Sequence, residues 1–295
     1  MNRTTAGEKV FNIANYTCMV LLGVMTLYPF LNVLAISLND SLDTVKGGIT
    51  IFPRRFTLNN YKEIFQLNTL ATAVTVSVLR TVVGTFTGII STAMLAFTMS
   101  REDYFARKFI TVLFVVTMYV GGGLIPDYML IRQLGLTNNF LVYIVPNLIS
   151  VFNVIVLRSF IDGLPFELQE SAKLDGANDL TVFFRIVFPL CTPVIATLSL
   201  FIAVGQWNSW FDTFLYCGLN KNLTTLQFEL QKILSNAQSG SQDMYRGIDS
   251  TDMKRISPES IRMAMTIVAT LPILFVYPFV QKYFIKGLTL GAVKT

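Results

Sequence analysis

The sequence predicts an all-α membrane protein, with six transmembrane helices and one short polar helix between the fourth and fifth. Three observations carry this prediction. Apolar residues make up 53% of the 295-residue chain and charged residues only 14%, against about 25% charge in an average soluble domain. Mean hydropathy is positive, at +0.55. The apolar residues also run continuously over lengths near the roughly 20 that a helix needs to cross a bilayer, without the alternation of barrel strands. Lipid offers no partner to a backbone N–H or C=O, so an uninterrupted apolar run has to satisfy its own backbone as a helix.

Six segments meet this description in order. Val10–Leu38 and Phe140–Leu157 carry no charged residue, and neither does Ile186–Phe211. Thr69–Ser100 carries only Arg80, Phe109–Met129 only Asp127 near its end, and Ile261–Val280 only Arg262 at its start. The first run exceeds the roughly 7–15 residues of a signal-peptide core, so it is read as a retained helix. Residues 1–68 form an N-terminal helix and first outside loop, and 69–295 the transmembrane core. Two long polar connections belong to that core, 158–185 and 208–259. Within the second, the stretch 236–252 reads as a long exposed loop, where function is likelier than in a short one.

Placing the N-terminus inside leaves 1–9, 101–108, 158–185 and 281–295 on the same side. Those segments hold eleven Lys and Arg, and the longer outside segments 39–68, 130–139 and 212–262 also hold eleven. Short flanking loops carry the positive-inside signal best, and the basic 101–108 and 158–185 connections fit it. Both chain ends then lie in the cytoplasm.

Several chemistries are excluded by composition. The chain has no histidine, which removes His-based acid–base catalysis and His metal sites. Cys18, Cys191 and Cys217 form no disulfide framework and read as apolar filler. No Gly-rich phosphate loop of the G-x-x-x-x-G-K-[ST] type occurs. No carboxylate sits well inside a span, where a proton- or sodium-coupled carrier usually places one. A passive membrane half driven by a separate ATPase is the reading that remains.

The 158–185 connection contains the most distinctive residues. Pro165 suits a helix start. Glu167 and Glu170 follow where the helix dipole favours anions, Lys173 comes where it favours cations, and Leu164, Leu168 and Ala172 form one apolar stripe. Gly176 suits the left-handed residue that ends a helix. Pro189 and Pro193 should bend the next span. On physics alone this helix either lies on the lipid surface or grips a partner.

The spacing Glu170-x-Ala172-x-x-x-Gly176, nine residues, then Ile186-x-x-Pro189 resembles the cytoplasmic signature of the permease subunits of binding-protein-dependent ABC importers. That family's pattern is Glu-Ala-Ala-x-x-x-Gly-(nine)-Ile-x-Leu-Pro, and Ser171 and Phe188 depart from it while keeping size or apolarity. Gln206-Trp207-Asn208 and the ending Lys286-Gly287-Leu288-Thr289-Leu290-Gly291 resemble its carbohydrate-importing branch. Gly121-Gly122-Gly123-Leu124-Ile125-Pro126 is similar to members handling acidic oligosaccharides such as alginate. The resemblance implies a transport subunit rather than an enzyme, in a bacterial inner membrane. Glu167, Glu170, Ser171, Ala172, Asp175 and Gly176 would form a coupling helix docked on an ATPase. It implies a second homologous permease, two ATPase subunits that bind the ATP and Mg, and an extracytoplasmic sugar-binding protein as partners. No cofactor is expected on this chain itself, and no nucleic acid. An alginate-like acidic oligosaccharide is the expected substrate, with a maltodextrin-like neutral one as the alternative and a secondary carrier as the alternative class.

Other residues leave two uses open. Arg80 is expensive in lipid, so it either lines a pathway or pairs with a helix-end carbonyl or with a carboxylate on the second permease. Asn147 and Asn153 either line the pathway or hold helices together. Trp207 and Asn208, with Trp210 and Phe211, sit either in an aromatic interface belt or on the pathway. The Gly121–Gly123 run marks either a broken helix or a helix end.

Overall fold

The computed structural model describes residues 6–66, 69–239 and 257–292. Among them every regular element is helical, with a lone bridge between Asn39 and Phe56. They divide into two compact units, residues 1–68 with 230–271, and 69–229 with 272–295. Of the polar stretch 236–252, residues from 240 onward lie outside the described residues, as do 293–295 of the C-terminal tail.

In the first unit, α1 (Ala6–Ser37) carries no charged residue after Lys9 and is exposed from Gly7 to Phe30, the pattern of a helix that faces lipid. The loop after it is built from polar residues. Asp40 caps the short α2 (Ser41–Thr44) through Leu42 N and Asp43 N. Asn60, in α3 (Asn59–Gln66), donates to the carbonyls of Ser37 and Asn39 at 2.8 Å and accepts from Ser41 Oγ. The Arg54 guanidinium donates to Asp43 Oδ2 at 2.9 Å and to the Gly47 carbonyl. With its buried polar groups bonded, this loop is a fixed structure.

The second unit is organised on α4 (Leu70–Ser100), about 46 Å long at 1.5 Å per residue and so more than enough for a ~30 Å hydrocarbon core. Its buried stripe is made of Ala73, Ser77, Arg80, Gly84, Gly88, Thr92 and Ala96. Small residues let another helix approach closely, which is how helices adhere where lipid removes the hydrophobic drive. Helix α4 packs most extensively against α11 (Thr192–Asn208), then α7 (Val151–Ile161). A Cβ on Gly84 would stand 2.7 Å from Gln206 Nε2, and one on Gly88 would touch Ile202.

Among the described residues three helical stretches are long and apolar enough to cross a membrane: Gly7–Ser37, Leu70–Ser100 and Pro258–Pro278, the last within the C-terminal helix Pro258–Ala292. Two more candidates are bent pairs, Phe140–Asn147 with Val151–Ile161 at 47°, and Asp179–Leu190 with Thr192–Asn208 at 83°. The expected span Phe109–Met129 is instead two helices, α5 (Arg107–Tyr119) and α6 (Leu124–Gln133). Gly123 has φ of 87°, outside the helical range, and the three adjacent glycines carry no side chain that would hold a helix there. By length and composition the count among the described residues is therefore three, or five with the bent pairs.

Candidate functional site

The first candidate site is the polar helix and what it is tied to. It runs as α8 (Glu167–Leu174), two residues later than Pro165, which precedes the cap and offers its carbonyl to Leu168 N. The end is a Schellman closure: Gly176 N donates to Lys173 O, Ala177 N donates to Ala172 O, and Gly176 sits at φ of 84°. Of the residues expected on the docking helix, Glu167, Glu170, Ser171, Asp175 and Gly176 are exposed, while Ala172 is half-buried against the core. The inward positions are Gln169 and Ala172. Leu168 is 44% exposed and so departs from the expected stripe.

Charged residues remote in sequence converge beside α8. Arg101 donates from Nε and Nη2 to the two carboxylate oxygens of Asp103, at 2.9 and 2.8 Å. Its Nη1 is 3.3 Å from Asp179 Oδ1, which also lies 3.3 Å from Lys173 Nζ. The Arg101 hydrogen bonds and charge hold the Asp103 carboxyl at about 2, well below its ordinary value. These four residues bind the loop after α4 to α8 and to α9 (Asp179–Val182). Beneath them, Arg101, Glu102, Arg107, Asp162 and the buried Gln169 border a cleft of about 460 Å³. The Gln169 carbonyl oxygen has no hydrogen-bond partner there.

After α9 the backbone changes pitch. Phe183–Val187 form a π-turn closed by Phe188 N donating to Phe183 O. Pro189 has no N–H to give the Arg185 carbonyl, which fits the local change of register. After α10 (Phe188–Leu190), Cys191 breaks the helix and Pro193 stands in the first turn of α11. The two prolines thus flank the 83° bend.

The second candidate site surrounds Arg80, whose side chain is 1% exposed. The guanidinium donates to Gln206 Oε1 from Nε and Nη2, to the Ser209 carbonyl from Nη1, and to both carboxylate oxygens of Asp212. It lies 4.5 Å from the centre of the Tyr143 ring, whose hydroxyl donates to Leu223 O at 2.6 Å. Five donors meet five acceptor contacts, so no N–H is left for a substrate. The expected helix-end carbonyl is that of Ser209, at the end of α11, whereas the carboxylate expected on a second permease is instead Asp212 in α12 (Phe211–Cys217) of this same chain.

Beside this knot is a cavity of about 370 Å³, bordered by Arg80, Asn147, Ser150, Asn153, Gly205, Gln206 and Ser209. Asn147 and Asn153 therefore line a common space with Arg80. Trp207 and Asn208 do not: Trp207 is buried in the core, and exposed Asn208 accepts a hydrogen bond from Gln227. Sequence reasoning missed Arg101, Asp103 and Asp179, because the contacts that join the loop after α4 to α8 and α9 link residues remote in sequence. It missed Asp212 for the same reason. Gly84 and Gly88 carried a readable signal, two glycines four apart in an apolar helix.

The family described as binding-protein-dependent transport system inner membrane component matches residues 80–290. The polygalacturonan/rhamnogalacturonan transport system permease protein YtcP of Bacillus subtilis (strain 168) is 37% identical over 291 residues, 97% of this chain and 99% of the relative. Protein LplC of the same organism is 37% identical over 295 residues, 100% and 98% of the two chains. The arabinooligosaccharides transport system permease protein AraQ of Halalkalibacterium halodurans is 25% identical over 275 residues, 92% of each chain. Among solved structures, a chain of a bacterial ABC transporter involved in the import of the acidic polysaccharide alginate superposes with a TM-score of 0.86 at 23% identity, over 96% of this chain and 100% of that one.

Proposed function

This chain belongs to the family of inner membrane components of binding-protein-dependent transport systems, and on that premise we propose that it forms one half of the membrane pathway of an ATP-driven oligosaccharide importer. Its relatives are transport subunits rather than enzymes. The proposed assembly pairs the chain with a second, homologous permease, two ATPase subunits that bind ATP and Mg, and an extracytoplasmic saccharide-binding protein. Six crossings are proposed, α5 and α6 counting together as the third, with both termini in the cytoplasm.

The observation that carries the mechanism is continuity from α8 to α4. Helix α8 exposes Glu167, Glu170 and Leu168 to a partner, and its far side is fixed by Ala172 and by the Lys173–Asp179 and Arg101–Asp179 contacts. A displacement of α8 by a closing ATPase pair is passed to α9, through the π-turn and the bend at Cys191, into α11. Helix α11 lies along the glycine face of α4 and borders the Arg80 cavity with Gly205 and Gln206. Tilting it opens that cavity to one side of the membrane or the other. Arg80, Asn147 and Asn153 are proposed to line the pathway, Arg80 as a pillar and the asparagines as hydroxyl partners.

An acidic saccharide is the substrate class best supported, through the 37% identity to a polygalacturonan/rhamnogalacturonan permease. A neutral oligosaccharide is the second reading, because apart from Arg80 the polar side chains that border the cavity are amides and hydroxyls. The importer reading is tested in vesicles containing the assembled transporter and its binding protein. Uptake is expected to require ATP inside, and Glu170→Arg is expected to leave assembly intact while uptake falls at least tenfold. Uptake by this chain alone, driven by a proton gradient without an ATPase, would overturn it in favour of a secondary carrier.

A further inference from the structure

A third cavity, separate from the Arg80 space and the α8 cleft, lies where α6 meets α12. Its volume is about 390 Å³, within the roughly 300–1,000 Å³ common for ligand clefts. Tyr128 and Tyr216 stand in one wall with their rings parallel, 6° apart in plane and 6.0 Å between centres. Arg132 is one turn further along α6, exposed, and has no carboxylate within ion-pair distance among the described residues. Thr137 and Asn138 close the cleft from the following loop.

That loop is held in shape. Gly135 and Asn138 both take left-handed backbone angles, φ of 68° and 54°. Asn138 N donates to the Tyr216 carbonyl at 3.1 Å, and the Asn139 side chain accepts from Leu141 N. The cleft is therefore bounded by fixed backbone on both sides. The acid nearest in sequence, Asp127, is in the first turn of α6 beside Gly122 and does not border the cleft. Arg132 is thus the one charged group in its lining.

This combination matches a uronate-bearing sugar. Aromatic walls and a few convergent polar groups are what small-ligand sites are made of. Threonine hydroxyl and asparagine amide serve hydroxyl groups as donor and acceptor. An uncommitted guanidinium serves a carboxylate by a two-pronged charge-assisted bond. We infer that the cleft of Tyr128, Arg132, Thr137, Asn138 and Tyr216 is a binding site for an acidic oligosaccharide, at the end of the molecule where the saccharide arrives. This rests on the importer reading and on the orientation proposed above, and it adds a site remote from the Arg80 cavity.

Direct binding tests it, on the complete permease–ATPase complex in lipid nanodiscs without binding protein. Trigalacturonate and a neutral trisaccharide, maltotriose, are titrated calorimetrically against wild type, Arg132→Gln, Arg132→Lys and Tyr128→Ala. Trigalacturonate is expected to bind wild type saturably. Arg132→Gln should weaken that about tenfold or more, the usual size for losing a hydrogen bond to a charged group, with Arg132→Lys intermediate and Tyr128→Ala weakened for both sugars. No saturable trigalacturonate binding to wild type, or equal binding by wild type and Arg132→Gln, overturns the site. ATP-dependent saccharide uptake by the same wild-type complex with its binding protein reports separately on the importer reading.

Discussion

Arg80 shows how a single residue in lipid can be both costly and necessary. Its charge is matched by Asp212, its remaining donors by Gln206 and Ser209 O, and its flat face by Tyr143. Removing one member of such a buried pair leaves the other charged and unpaired, which costs about 3–5 kcal/mol. Arg80→Ala is therefore expected to lower the unfolding midpoint of the purified subunit sharply. Arg80→Met with Asp212→Leu should regain much of the loss, because an apolar pair leaves no stranded charge. Thermal unfolding in detergent compares the three proteins, and a double variant no more stable than Arg80→Ala would show that the pair does more than neutralise itself. Gly84 is the complementary case, a position defined by what it lacks. A methyl group there meets Gln206 Nε2 at 2.7 Å, so Gly84→Ala should displace Gln206 and weaken the Arg80 knot without adding or removing a charge. The buried arginine was legible in the sequence as a lone cation in an apolar run. Its partner was not, since Asp212 lies 132 residues away and only the packing of α11 on α4 brings the two together.

At the scale of elements, the polar helix α8 was legible because its signals are local. The acids at its start, the Lys at its end and the terminal glycine all act within one stretch of chain, and the structure has them in those positions. Two details depended on tertiary packing: the start, which shifted to Glu167, and the inward face, where Gln169 took the place expected for Leu168. Gly176→Pro is expected to damage the helix end specifically. Proline is fixed near φ of −65° and has no N–H, whereas this position needs φ of 84° and donates to Lys173 O. Membrane insertion should be unchanged and ATP-coupled uptake lost; unchanged uptake would count against the docking role. The ionic cluster beside α8 carries a pH signature. Asp103 is held below its ordinary value of 3.8, at about 2. A lowered carboxyl stabilises its surroundings above its unfolded value and loses that contribution as pH falls through the folded value. Protection of α8 amides from hydrogen exchange should thus weaken between about pH 4 and pH 2, and Asp103→Asn should abolish that phase. Asp103 and Asp179 are largely exposed, and exposed ion pairs contribute little stability, so this cluster matters for where it holds α8 rather than for how firmly the protein folds.

For the whole molecule, the proposal of six crossings is argued from which ends meet. Arg101 and Asp103, after α4, contact Lys173 and Asp179, before α11. Two loops in contact lie on one side of the membrane, so an even number of crossings separates them. The bent pair Phe140–Ile161 is apolar and long enough to be one crossing. The other falls to α5 and α6, broken at Gly121–Gly123 yet together as long as a span, which supports six crossings in place of five. Composition alone could not reach this, because three glycines in an apolar run are equally compatible with a helix end and with a broken span. The two readings part cleanly in a labelling experiment. In a background with the three native cysteines replaced, Leu174→Cys and Leu219→Cys offer sites that are 85% and 99% exposed. With the N-terminus inside and six crossings, an impermeant maleimide should label position 219 in intact spheroplasts and position 174 only after permeabilisation. With α5 and α6 not crossing, both assignments invert, because every segment after Gln133 changes sides. The same inversion would carry the Tyr128–Arg132 cleft to the cytoplasmic face and remove it from the saccharide's point of arrival, so one pair of labels decides the side on which that cleft opens.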